Sequence, residues 1–184
     1  LDWSGSMQNV MLDTCKQLYN LLWFCKKVNI PFEVYGFTNE WKGRSFDEYG
    51  RITGSDQTPC YEEGEHMLHV DSDFSLMNFF TSKVSGKELE QQMKNIWRIA
   101  YAFSNRYSGQ YSWPMRLSLS GTPLNESLVC LHQILPKFQR ENKLQKVQCV
   151  VLTDGEACPL QYNKWMESKY LSLIHISEPT RRYE

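Results

Sequence analysis

The sequence lacks any run of about 18 apolar residues and any leader that passes from basic to apolar to small residues, so nothing in it reads as a membrane span or a secretory signal. It also lacks a surplus of either charge: 20 Lys and Arg stand against 21 Asp and Glu, a balance that offers no field to attract nucleic acid or an anionic bilayer. There is no CxxC pair. The six cysteines, Cys15, Cys25, Cys60, Cys130, Cys149 and Cys158, have no histidine beside them at zinc spacing, and buried free thiols in a reducing cytoplasm are expected. Catalytic signatures are missing as well, with no Walker A loop, no HExxH and no GxSxG. The chain itself is therefore not expected to hydrolyse ATP or peptides.

What is present fits one α/β domain, since 184 residues can bury a sizeable core. Met7, Val10, Met11, Leu18, Leu21, Leu22, Cys25 and Val28 fall on one helical face, and Asn29 and Pro31 stop that helix. Residues 32–37 then read as a strand. A strand, helix, strand unit of this length predicts parallel pairing and a mostly parallel sheet with helices on both faces. Residues 38–65 show no period and read as a surface loop, and residues 66–70 as a short edge strand with His66 and His69 on opposite faces. Asp71 and Asp73 read as a turn cap rather than a calcium pair. A second helix is predicted from Gly86 to Tyr107, with Leu89, Met93, Ile96, Ala100 and Phe103 on its stripe. The aromatics Trp97, Tyr101, Tyr107, Tyr111 and Trp113 lack the interleaved basic residues of a base-stacking platform, so core packing and a partner-facing patch are expected. Pro123 opens a third helix whose buried face is Leu124, Leu128, Leu131, Leu135 and Phe138, with a kink at Pro136. The apolar run 147–152 predicts a central strand buried on both faces.

The chemistry-bearing residues are hydroxyls and carboxylates. Asp2, Ser4 and Ser6 place three oxygens on alternate positions of one short loop, where Gly5 allows a sharp turn. Thr122, in Ser120-Gly121-Thr122-Pro123-Leu124, and Asp154, closing Val150-Val151-Leu152-Thr153-Asp154, would complete an oxygen cradle for a hard cation, with ligands gathered beyond the carboxyl ends of strands. Asp and Ser at such a turn also serve as plain helix caps. An Asp-x-Ser-x-Ser match alone arises by chance in roughly one chain in twenty to fifty of this size; the added Thr122 and Asp154 segments make the metal reading the stronger one.

These three segments, in this order, resemble the metal-ion-dependent adhesion site (MIDAS) of von Willebrand factor A (vWA) domains. Tyr35-Gly36-Phe37-Thr38, followed by Trp41-Lys42-Gly43, is most similar to the vWA domain of cobaltochelatase CobT-type subunits, including versions that tailed phages encode. The resemblance spans about residues 1–160 and is loose through 44–118. It implies a Rossmann-like fold with a mostly parallel central sheet, and Mg²⁺, with Mn²⁺ as a substitute, bound by Asp2, Ser4, Ser6, Thr122 and Asp154. Gly5 and Glu156 would lie in the surrounding shell. It further implies docking onto a MoxR- or CobS-like AAA+ ATPase that offers an Asp or Glu to the metal, in the cytoplasm, or in the host cytoplasm for a phage protein. A second reading is the non-catalytic vWA part of a phage-encoded peptidase or hydrolase. A third, an extracellular adhesion domain, is disfavoured by the cysteines and the absent signal.

Residues 171–181 resemble the conceptual translation of a transposase-type sequencing adapter, so 171–184 are expected to be a non-native tail. Residues 1–170 are then expected to be a vWA fragment whose first strand is truncated and whose last strands and helices are missing.

Overall fold

The computed structural model describes residues 1–39, 44–46, 52–55, 65–70, 73–104, 113–114, 117–155 and 157–162. The adapter-like tail, Glu156, Asp71, Tyr107 and Tyr111 therefore lie outside the described residues. Helices and strands are both present, giving a mixed α/β chain.

A 3-10 turn, Ser6–Asn9, leads into α1, Met11–Lys27. Met11, Cys15, Leu18 and Leu22 recur at helical spacing and are its buried residues. The helix ends as its sequence requires. Asn29 takes φ 57°, the left-handed value that asparagine tolerates, and the Ile30 and Asn29 amides donate to the Cys25 and Lys26 carbonyls, closing the last turn. α2, Gly86–Ser104, buries Leu89, Met93, Ile96, Ala100 and Phe103, the stripe its sequence predicts. It packs on α1 and on a strand.

That strand is β5. The strands in chain order are β1 (Glu33–Asn39), β2 (Arg44–Phe46), β3 (Ile52–Ser55), β4 (Leu68–His69) and β5 (Phe74–Thr81), with β6 (Gln161–Tyr162) late in the chain. β1 and β5 pair antiparallel from Glu33 with Thr81 to Asn39 with Phe74, interrupted by a bulge at Val34/Tyr35. The expectation of a loop over 38–65 is corrected at two places: β1 runs on to Asn39, and β2 and β3 form a hairpin. The 66–70 strand shortens to β4, paired with β6, while His66 occupies a turn at φ 62°.

A mostly parallel sheet is expected from the sequence, yet the extended pairings among the described residues are antiparallel. Parallel contact is limited to single bridges, Asp2 with Phe37 and Ser4 with Ser120. The run 147–152 forms no ladder, and Val150 is 64% exposed. Among the described residues its one flanking backbone bond comes from the Asp2 amide, which donates to the Leu152 carbonyl at 2.8 Å. A strand buried on both faces needs neighbours on both edges, and among the described residues only Leu1–Trp3 lies alongside.

The core is built between α1, α2 and β5 around Trp3, which is fully buried. Its indole meets Phe79 and Phe103 edge to face at 4.9 and 5.7 Å, and its Nε1 donates to the Leu117 carbonyl at 2.9 Å. α3, Leu124–Glu141, contributes little to that core. Its buried residues are Glu126 and Ser127, and Leu128 is 42% exposed, so the expected burial of Leu124, Leu128, Leu131, Leu135 and Phe138 is corrected. Most of that face, Leu124, Leu131, Leu135 and Phe138, instead lines a cavity of about 550 Å³ shared with α1 and residues 147–152. Pro136 lies inside the helix without ending it. Of the aromatics, Trp97 packs on Tyr19, and Trp113 on Phe103 at 4.7 Å.

Two predictions arise from this packing. A Cβ on Gly36 would stand 2.3 Å from Phe79 Cε2 and 2.5 Å from Cζ, and that ring is held by Trp3 and Phe80. Gly36→Ala should therefore destabilise by about 2 kcal/mol through overpacking. In chemical denaturation, Phe79→Leu in the same chain should recover part of the loss; strict additivity of the two changes would count against this contact.

The second concerns Cys15, whose thiol is pushed up from 9.0 to about 12 by burial. A raised folded pKa makes the stabilisation complete below the unfolded value and draws it away as pH climbs from about 9 toward 12. Stability should fall by roughly 1 kcal/mol per pH unit over pH 9–11 for this group, and the slope should be shallower in Cys15→Ala. Equal slopes would remove Cys15 as the cause. The described cysteines are free thiols, but the expectation that they are buried is corrected: only Cys15 among them is, Cys25, Cys130 and Cys158 are partly exposed, and Cys149 is exposed.

Candidate functional site

Leu1–Ser4 runs in extended form with a different neighbour on each flank. On one side the Phe37 amide donates to the Leu1 carbonyl at 3.0 Å and the Trp3 amide to the Phe37 carbonyl at 2.9 Å. On the other, Asp2 bonds Leu152. Alternation along the strip sends Trp3 into the core and leaves Asp2 and Ser4 on the opposite face. The strip ends where Ser120 enters beside it: the Gly5 amide donates to the Ser120 carbonyl at 2.8 Å, and the Ser120 amide to the Trp3 carbonyl at 3.4 Å. Gly121 in turn bridges Asn39 at the end of β1.

Three of the expected site residues, Ser4, Ser6 and Asp154, are joined by hydrogen bonds, and Asp2 is reached through Thr153, the neighbour of Asp154. Ser4 Oγ lies 3.0 Å from Ser6 Oγ, Ser6 Oγ donates to Asp154 Oδ1 at 2.8 Å, and Thr153 Oγ1 donates to Asp2 Oδ2 at 2.7 Å. Thr122 lies two residues beyond Ser120 and its carbonyl accepts from Cys158 N at 3.0 Å, but among the described residues no hydrogen bond joins it to the cluster. The Asn125 side-chain amide donates to the Cys158 carbonyl at 2.9 Å, holding Cys158 against the start of α3. Pro123 stands at the cap with ψ 58°, and the helix proper begins at Leu124, one residue later than its sequence suggests.

Gly5 differs from expectation. Its φ of −63° and ψ of −32° are ordinary helical values, and a Cβ there would meet Ser120 O at 3.8 Å, a normal contact. The turn is made by the bond to Ser120, not by glycine's conformational freedom.

The electrostatics are uneven. Asp2 is fully buried and Ser4 nearly so, whereas Ser6 and Asp154 are exposed. Thr153 satisfies one Asp2 oxygen; Asp2 Oδ1 is buried with no hydrogen-bond partner among the described residues. A buried carboxylate oxygen left this way is costly, and in a native fold it points to a missing water or ion. The donor set suits a hard cation. Neighbouring ligands of octahedral Mg²⁺, each about 2.1 Å from the ion, stand about 3 Å apart, and the Ser4–Ser6 and Ser6–Asp154 oxygens have that separation. Among the described residues no three His, Cys, Asp or Glu side chains gather for a metal; this cluster relies on hydroxyls instead.

Sequence reasoning missed three neighbours. Thr153, beside Asp154 in the same strand end, orients Asp2. Glu126 is buried in the first turn of α3, where a helix N-terminus favours negative charge. Asn39, past the Tyr35–Thr38 motif, touches the Gly121 backbone. No family model, no curated protein and no solved structure matches the chain.

Proposed function

We propose that this chain is a vWA-type binding module in which Asp2, Ser4, Ser6, Thr122 and Asp154 hold Mg²⁺, with Mn²⁺ able to replace it, and that the module docks on a MoxR- or CobS-like AAA+ ATPase. The observation that carries this reading is the fully buried Asp2 with its unpartnered Oδ1, together with the joined Ser4, Ser6 and Asp154 oxygens. In the vWA arrangement Leu1–Ser4 would be a central strand of a mostly parallel sheet. The parallel bridge from Asp2 to Phe37 and the Leu152 bond on the other flank support that placement.

The chain's residues have separable tasks. Ser4 and Ser6 offer neutral hydroxyl oxygens, so little of a divalent charge is cancelled at the centre. Asp2, held by Thr153, supplies negative charge from below, and Asp154 supplies it at the exposed rim. Bound Mg²⁺ would supply one open coordination position for an Asp or Glu of the partner. The exposure of Ser6 and Asp154 leaves that approach open to a protein surface. Such a site binds and does not react, consistent with the absence of a nucleophile and base pair among these residues.

The test is co-purification with a MoxR- or CobS-like AAA+ ATPase, in Mg²⁺ and in EDTA. Association in Mg²⁺ that is lost in EDTA is the expected result. Equal association in both would end the docking reading.

A further inference from the structure

β1 ends in Thr38 and Asn39, and each carries an oxygen, Thr38 Oγ1 and Asn39 Oδ1, that is buried without a hydrogen-bond partner among the described residues. Asp2 Oδ1, on the strip that β1 flanks, is likewise unpartnered, and a buried polar atom without a partner calls for one beyond the described protein groups. Direction separates Thr38 from Asn39. The parallel bridge puts Asp2 and Phe37 on one face, and Asn39, two residues on, returns to that face while Thr38 turns to the other. Ser4, two residues beyond Asp2, shares the face of Asp2. Ser120 and Gly121 enter between Ser4 and Asn39, bridged to each. The Asn39 amide lies along that entry: a Cβ on Gly121 would sit 3.5 Å from both its Cβ and its Nδ2. Gly121 directly precedes Thr122.

An amide oxygen can only accept, so its missing partner must donate. Next to a hydrated hard cation, the donor of suitable strength is a water bound to that cation, since Mg²⁺ keeps several of its waters. We infer that Asn39 is a positioning residue of the metal site, its Oδ1 accepting a hydrogen bond from cation-bound water. This rests on the metal reading above and extends it to a residue outside the five ligands. Partners of this outer kind hold the inner ligands and waters in place, and losing one weakens metal binding roughly tenfold to a hundredfold.

The experiment is calorimetric titration of MgCl2 into the full chain and its Asn39→Ala, Asn39→Asp, Thr38→Val and Ser4→Ala variants, with melting temperatures in EDTA to show that each is folded. Asn39→Ala should bind Mg²⁺ roughly tenfold to a hundredfold more weakly. Asn39→Asp keeps the acceptor and adds charge, so it should bind at least as tightly as the parent. Thr38→Val, on the opposite face, should bind as the parent does. Parent-like affinity in Asn39→Ala, weakened binding in Asn39→Asp, or a Thr38→Val loss equal to that of Asn39→Ala would overturn the role of Asn39 while leaving the metal reading in place. No Mg²⁺ binding by the parent chain, or no loss in Ser4→Ala, would overturn the metal reading and this inference together.

Discussion

Trp3→Ala is expected to destabilise the chain by about 3–5 kcal/mol, which is a large part of the stability of a typical domain. The indole is completely buried and braces Phe79 and Phe103 at once. Its removal opens a cavity between α2 and the β1–β5 pair that neither ring can collapse into without losing its own contacts. The Leu117 carbonyl also loses its donor. Trp3→Phe separates these contributions. It keeps most of the ring contact and drops the hydrogen bond, and should cost nearer to 1–2 kcal/mol. Urea denaturation read by circular dichroism measures both. A loss below about 1 kcal/mol for the alanine variant would mean that Trp3 is not the centre of the core.

Asp2→Ala is expected to separate stability from metal response. In the parent chain, Mg²⁺ at a hundred times its dissociation constant should stabilise by about 2.7 kcal/mol, and the variant should lose nearly all of that gain. In EDTA the sign differs. The buried Asp2 Oδ1 has no donor, so deleting the carboxylate removes a desolvated charge, while the Thr153 hydroxyl, on an exposed residue, returns to water. Metal-free stability should therefore be unchanged or slightly higher. Thermal melts of both chains with MgCl2 and with EDTA make the comparison. A variant that melts well below the parent in EDTA would assign Asp2 a structural role, and an undiminished Mg²⁺ shift would remove it from the cation site.

The legible parts of the fold were those with one buried face. The α2 stripe from Leu89 to Phe103 has an uninterrupted helical period because its opposite side is polar, and the Asn29 stop of α1 is written in a single residue. β5 gave no such signal: Leu76 and Met77, then Phe79 and Phe80, are adjacent apolar pairs, so alternation is blurred in a strand that packs on both faces. The run 147–152 misled in the opposite direction. Its composition suits a doubly buried strand, but burial depends on neighbours that its own residues do not encode. In the candidate site, the meeting of Ser4, Ser6 and Asp154 was readable because hydroxyls and carboxylates in short motifs announce oxygen chemistry, whereas Thr122, expected with them, is not joined to them among the described residues. Asn39 and Thr153 were not, since an amide and a hydroxyl at strand ends are common, and only the proximity of Gly121 and Asp2 gives them meaning.

The bond from Thr153 to Asp2 joins residues 151 positions apart, and the bond from Ser6 to Asp154 joins residues 148 apart. On a ribosome adding about 5–20 residues per second, Asp2 would wait on the order of 10–30 s before its counterpart is even synthesised. During that interval α1 and α2 can emerge and coil locally, but the cluster has nothing to close upon. Assembly of the cluster is thus tied to synthesis of the polypeptide through residue 154, and any nascent or prematurely terminated product short of that point would be unable to form it.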